Sequence, residues 1–101
     1  KDEMELPQMV DDSTQLFDLG SGEKKFIYFF KLINYNYDEI DIDFFLEGLD
    51  TDTRASQKNY YCNEENLLWY RMNDIALEYR YSAADDIFIG KNTHYSSQCN
   101  K

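Results

Sequence analysis

From Lys25 to Asn34 the apolar positions fill both alternating sets of the chain. Phe26, Tyr28, Phe30 and Leu32 form one set, and Ile27, Phe29 and Ile33 form the other, interleaved with Lys25 and Lys31. A period of two predicts a strand, and two apolar faces predict that it lies in the middle of a sheet. Beyond it the spacing changes to threes and fours. Ile42, Phe45, Leu46, Leu49, Thr53, Ser56 and Tyr60 fall on one stripe, which predicts a helix ending near Cys62. Asp38 is placed to cap it, with Glu39 and Asp41 complementing the dipole in the first turn. Gly48 and the stretch Asp50 to Thr53 are poor helix formers, so a kink or fraying is expected in the middle. Asn63 then caps a shorter helical segment through Leu67, Leu68, Trp69 and Met72, and Asn73-Asp74 supplies its exit turn.

Period two returns at Ile75, Leu77, Tyr79 and Tyr81, which alternate with Ala76, Glu78 and Arg80. Ile87 to Tyr95 reads as the antiparallel partner strand across the Ser82 to Asp86 connection. Upstream, residues 1–13 read as an extended arm anchored by Leu6, Met9 and Val10 and closed by a turn at Asp11-Asp12-Ser13. Thr14 to Leu19 follows as a short strand, and Gly20-Ser21-Gly22-Glu23 offers the positive-φ freedom a hairpin reversal needs. The expected fold is α+β, one domain over residues 1–101 in the order β-β-α-α-β-β. A four-stranded antiparallel sheet carries the main helix and the short second helix on one face.

Composition narrows the classes. Twenty Asp and Glu against ten Lys and Arg give a net charge of −10. That argues against nucleic acid and anionic lipid as partners, both of which depend on Lys and Arg. Hydrophobic residues at 43% and aromatics at 17% supply enough apolar area for a core and exclude wholesale disorder. No membrane span is expected, because the most apolar stretch, Phe26 to Ile33, is broken by Lys31 and is far shorter than the roughly 20 residues required. The sequence starts at Lys1 without a leader, which fits either a cleaved signal peptide or none, and it holds no N-x-S/T sequon. Cys62 and Cys99, an even pair in a small chain without C-x-x-C spacing, favour a disulfide over a metal site; two unpaired thiols are the alternative.

Pro7-Gln8-Met9-Val10-Asp11 with Thr14 and Leu16, Phe26-Ile27-Tyr28 running to Leu32-Ile33-Asn34-Tyr35, Cys62, Asn73-Asp74 before an alternating strand, and the terminal Cys99 together form a pattern. It resembles a class of small exported bacterial proteins with two cysteines whose function is not established. The resemblance spans most of the chain, contains no catalytic signature, and implies export to the periplasm or beyond and a disulfide.

Reactive groups are sparse. His94 is the single histidine and has no evident nucleophile or carboxylate partner, and no serine lies in a G-x-S-x-G elbow. Asp38, Glu39, Asp41 and Asp43 cluster, but without the central Gly and twelfth-position Glu of a calcium loop they read as a solvated helix start. No catalytic residue, metal or cofactor is expected. The residues point instead to a non-enzymatic binding module whose acidity steers basic partners and whose apolar contact is the second strand face, Ile27, Phe29 and Ile33. Such a module would neutralise or inhibit a basic protein. The alternative is an envelope structural or assembly accessory acting through strand pairing or dimerisation, and a third is an enzyme, whose turnover a change at His94 would abolish.

Overall fold

A computed structural model of the protein describes residues 7–99, so the arm's Leu6 anchor lies outside the described residues. Five strands form one sheet in the order β1 (Gln8–Met9), β2 (Thr14–Gly22), β3 (Lys25–Leu32), β4 (Ala76–Ala83) and β5 (Phe88–His94). The α+β class holds; the expected four-stranded antiparallel sheet does not. β3 and β4 are parallel, in register from Lys25 opposite Ala76 to Leu32 opposite Ala83, and the other pairs are antiparallel. The cause is the helical connection between them, which carries the chain from the Leu32 end of β3 back across the sheet to the end where β3 began. Alternation within a strand is the same for either direction, so the sequence pattern did not carry this. The fifth strand comes from the arm. Asp11 accepts hydrogen bonds on Oδ1 from the amides of Ser13 and Thr14 at 2.9 and 2.8 Å, and the turn lays Gln8 and Met9 against Leu16 and Gln15.

The β2–β3 reversal also differs from expectation. Gly20 and Gly22 stay inside β2, no glycine has positive φ, and the turn is made by Glu23 and Lys24, with Lys24 at a φ of 61°. Gly20 is needed for close approach instead: a Cβ there would lie 2.9 Å from the Phe29 ring. A register shift between Leu16 and Asp18 sets Phe17 beside Phe29, ring centroids 6.2 Å apart.

The helical layer comprises α1 (Ile42–Gly48), a π turn over Leu49–Thr53, α2 (Arg54–Asn63), a 3-10 turn at Glu65–Leu67 and α3 (Leu68–Met72). Asp38 is not the cap of α1. Asn36 starts a separate 3-10 turn at Tyr37–Glu39, with the Glu39 carboxylate accepting from the Asn36 amide at 2.8 Å, and Asp41 caps α1 by accepting from the Phe44 amide. The irregularity expected after Gly48 is the π turn. It inserts one residue into the helical repeat, so the slots that Ser56 and Tyr60 would fill in an unbroken helix go to Gln57 and Tyr61. Ser56 and Tyr60 are exposed, and Tyr61 is fully buried. Asn63 remains within α2, and the Glu64 side chain caps the next turn in its place.

The core joins Leu16, Phe30, Tyr61, Leu67, Leu77 and Tyr79. Tyr61 donates its hydroxyl to the Ile75 carbonyl at 2.7 Å, and Arg71 Nη1 donates to the carbonyls of Tyr61 and Glu64, closing the end of α2. Cys62 and Cys99 form a disulfide that ties the turn at Ser96–Cys99 to α2. Gly90 of β5 lets the helical layer approach, because a Cβ there would meet Leu46 at 2.6 Å and Leu49 at 3.4 Å.

Candidate functional site

Where α1 and the π turn leave the sheet, a groove of about 900 Å³ opens between them, the turn after β1 and the segment that follows β3. Its floor is aromatic. Phe30 stacks on Tyr79 (centroids 5.8 Å, 5° between planes) and on Tyr81 (5.1 Å, 19°), and Phe45 packs edge-on to Tyr81. Val10, Tyr35, Ile40 and Phe44 add apolar walls, and Phe44 is 74% exposed. Asp11, Glu39 and Asp41 also line it. Each of these carboxylates accepts backbone amides, and none pairs with a Lys or Arg among the described residues. The amide of Ser13 is the main cause that holds the Asp11 carboxyl below its usual range.

A polar network that the sequence did not reveal runs from the groove lining, where Gln57 and Tyr81 are half-buried, down to the buried Asn92 and His94. Gln57 Nε2 donates to Tyr81 Oη at 2.8 Å, while Gln57 Oε1 faces His94 Nε2 at 3.0 Å and accepts from Asn92 Nδ2 at 3.2 Å. Asn92 Nδ2 also donates to the Leu49 carbonyl at 2.8 Å, bracing the π turn against β5. With Gln57 Oε1 as acceptor, His94 carries its proton on Nε2. Burial, with the charges of Arg54 and Lys58, pushes the His94 pKa down to about 4, so the ring is neutral near pH 7. Burial also raises Tyr79, and raises Tyr81 to about 12, so both phenols stay protonated. His94 thus contacts an amide and an edge-on Tyr79 ring rather than a nucleophile and carboxylate.

The proposed contact residues Ile27, Phe29 and Ile33 lie on the opposite face, away from the helices, and are only half-exposed. Cations surround them. Lys25, Arg80 and Lys91 belong to this face by register, Lys31 sits 4.9 Å over the Phe17 ring, and the Arg80 guanidinium sits 4.8 Å over Phe88. Glu78, nearly inaccessible, accepts from Arg80 at 2.8 Å and from Lys25 and Thr93 at 3.3 Å. Desolvation pushes its carboxyl up, but the hydrogen bonds from Arg80 and Lys25 outweigh it and hold the carboxyl below its ordinary value. The Ile27 face thus carries cations paired with carboxylates, Lys25 and Arg80 with Glu78 and Lys31 with Asp86, whereas the three groove carboxylates are held by backbone amides.

Of the acidic cluster, Glu39 and Asp41 line the groove, whereas Asp38 and Asp43 are exposed and do not. Among the described residues, no three His, Cys, Asp or Glu side chains converge as a metal site. No helix among them is long and apolar enough to cross a membrane. Phe44 was the one visible signal of the groove, a large aromatic just off the helical stripe beside Phe45.

No family model and no curated protein sequence matches the chain. Among solved structures the fold is similar to that of a presumed secreted protein of Pseudomonas aeruginosa, at a TM-score of 0.76 and 8% identity over 94% of this chain and 80% of that one. It is also similar to EpsS, the pilotin of the Vibrio vulnificus type 2 secretion system, at a TM-score of 0.62 and 10% identity over 95% of this chain and 79% of that one. At such identities the likeness is one of fold.

Proposed function

We propose that this protein is a non-enzymatic, exported module of the bacterial envelope that holds a basic amphipathic segment of a partner protein in the groove. The observation that carries the reading is the pairing of an aromatic floor with three carboxylates that have no cationic partner among the described residues. Such a lining complements a segment with apolar side chains on one side and Lys or Arg on the other. The disulfide suits an oxidising compartment, and fold neighbours that are secreted or belong to a secretion system support the same setting. The pilotin likeness favours a second reading of the same contact, in which the partner is a component of an envelope assembly rather than a basic enzyme or toxin to be neutralised. The binding surface proposed here is the groove in place of Ile27, Phe29 and Ile33, because the charged groups around those three already pair with one another.

A titration with a synthetic Lys/Leu amphipathic peptide tests this. Phe44→Asp should weaken binding at least tenfold while leaving the melting temperature nearly unchanged, since Phe44 is exposed. Affinity should also fall as salt rises. Equal affinity in Phe44→Asp, or binding abolished by Ile27→Asp in a folded protein, overturns the reading.

A further inference from the structure

Gly48 closes α1 at the point where the groove wall meets the π turn, and it lines the groove. Its φ is −64°, an ordinary helical value, so nothing in the backbone requires glycine. A Cβ built there meets no atom within 4 Å, so nothing in the packing requires it either. Gly90, by contrast, is demanded by Leu46 and Leu49. A glycine in a helix interior is destabilising relative to alanine, so at this exposed position the bare backbone leaves a notch in the groove wall, open to solvent, at a cost to the helix.

We propose that Gly48 is the specificity-determining position of the groove: the missing side chain leaves room for one bulky apolar anchor of the bound basic segment. The inference rests on the groove reading above and adds where the anchor sits. The anchor would lie between Gly48 and the Phe30–Tyr79–Tyr81 stack, with Asp41, at the start of the same helix, in reach of a neighbouring cation. An apolar pocket that selects by volume discriminates by roughly tenfold or more per methylene, and a side chain built into it from the protein side adds a clash against the anchor.

The experiment uses two fluorescein-labelled Lys/Leu peptides, one with a central Leu and one with Ala in its place, titrated against wild type, Gly48→Ala and Gly48→Leu. Wild type should prefer the Leu peptide about tenfold. Gly48→Leu should melt at or above the wild-type temperature, bind the Leu peptide at least tenfold more weakly and lose the preference, with Gly48→Ala between. If folded Gly48→Leu keeps wild-type affinity and preference, while Phe44→Asp still weakens binding, the notch proposal fails and the groove reading stands. If wild type binds neither peptide, or Phe44→Asp has no effect, both fail. If Gly48→Leu melts lower, Gly48→Ala decides: a stable protein that retains the full preference overturns the proposal.

Discussion

The two ends of the helical layer face the same sheet and are built on opposite terms. At the end of α2, Tyr61 is fully buried, its hydroxyl and carbonyl are both hydrogen-bonded, Arg71 fastens two carbonyls and a disulfide joins the layer to the chain's last turn. At α1, Phe44 is open to solvent, the cap is one carboxylate, and a groove separates part of the helix from the aromatic floor. The π turn, braced by Asn92, lies between them. Stability is concentrated at one end, which frees the other to expose apolar surface that would ordinarily be buried. Binding surfaces are drawn from the less stable parts of a fold, which is the end where the proposed groove lies, one helical turn from the braced end.

The sharpest way to break this contrast is a pair of truncations. Tyr61→Ala should destabilise the protein by about 3 to 5 kcal/mol, because it empties a buried site and orphans the Ile75 carbonyl, whereas Phe44→Ala should cost under ~0.5 kcal/mol. Urea unfolding of both variants measures the difference, and comparable losses would erase the distinction. Next comes the covalent tie. Reducing the disulfide, or Cys62→Ser with Cys99→Ser, should remove roughly 3 to 4 kcal/mol for a bridge spanning 37 positions, seen as a lower melting temperature under reductant. Amide exchange should quicken first at α2 and α3, leaving the groove's peptide affinity nearly intact.

A smaller effect follows from His94. Its folded pKa of about 4 lies below the ordinary 6.5, so the unfolded chain binds more protons between those values. Stability is complete above about pH 6.5 and is lost as pH falls toward 4, by up to roughly 3 kcal/mol. His94→Gln should flatten that part of the stability profile, while the lower-pH loss from Glu78, whose folded pKa is also depressed, remains. An unchanged slope between pH 4 and 6.5 in the variant would remove His94 as its source.

Much of the layout was legible because local pattern and burial agree. The double apolar register of Lys25 to Leu32 marked a central strand, the Ile75 and Ile87 segments marked their hairpin, and the helical interruption after Gly48 was anticipated. What the pattern could not encode was relative direction and register over distance. β4 and β5 look the same locally whether β3 is parallel or antiparallel to them, and two residues of edge strand, Gln8 and Met9, are too few to have a period. The π turn was legible as weakness but not as an inserted residue, so the inward stripe was misassigned to Ser56 and Tyr60 and the Gln57 network was invisible. The groove escaped for the same reason: Phe30, Tyr79 and Leu49 are core residues with little exposed surface, and only the geometry of α1 lets a groove reach down to them and to the half-buried Tyr81.

The parallel pairing of Lys25–Leu32 with Ala76–Ala83 also governs how the chain is made. The β2–β3 segment lies about 50 residues ahead of its other neighbour in the chain, so the amides and carbonyls along the free edge of β3 depend on a distant strand. Folding rates fall when decisive contacts are non-local, and an exposed strand edge invites pairing with another molecule. This protein should therefore be most vulnerable to aggregation before β4 has paired with β3.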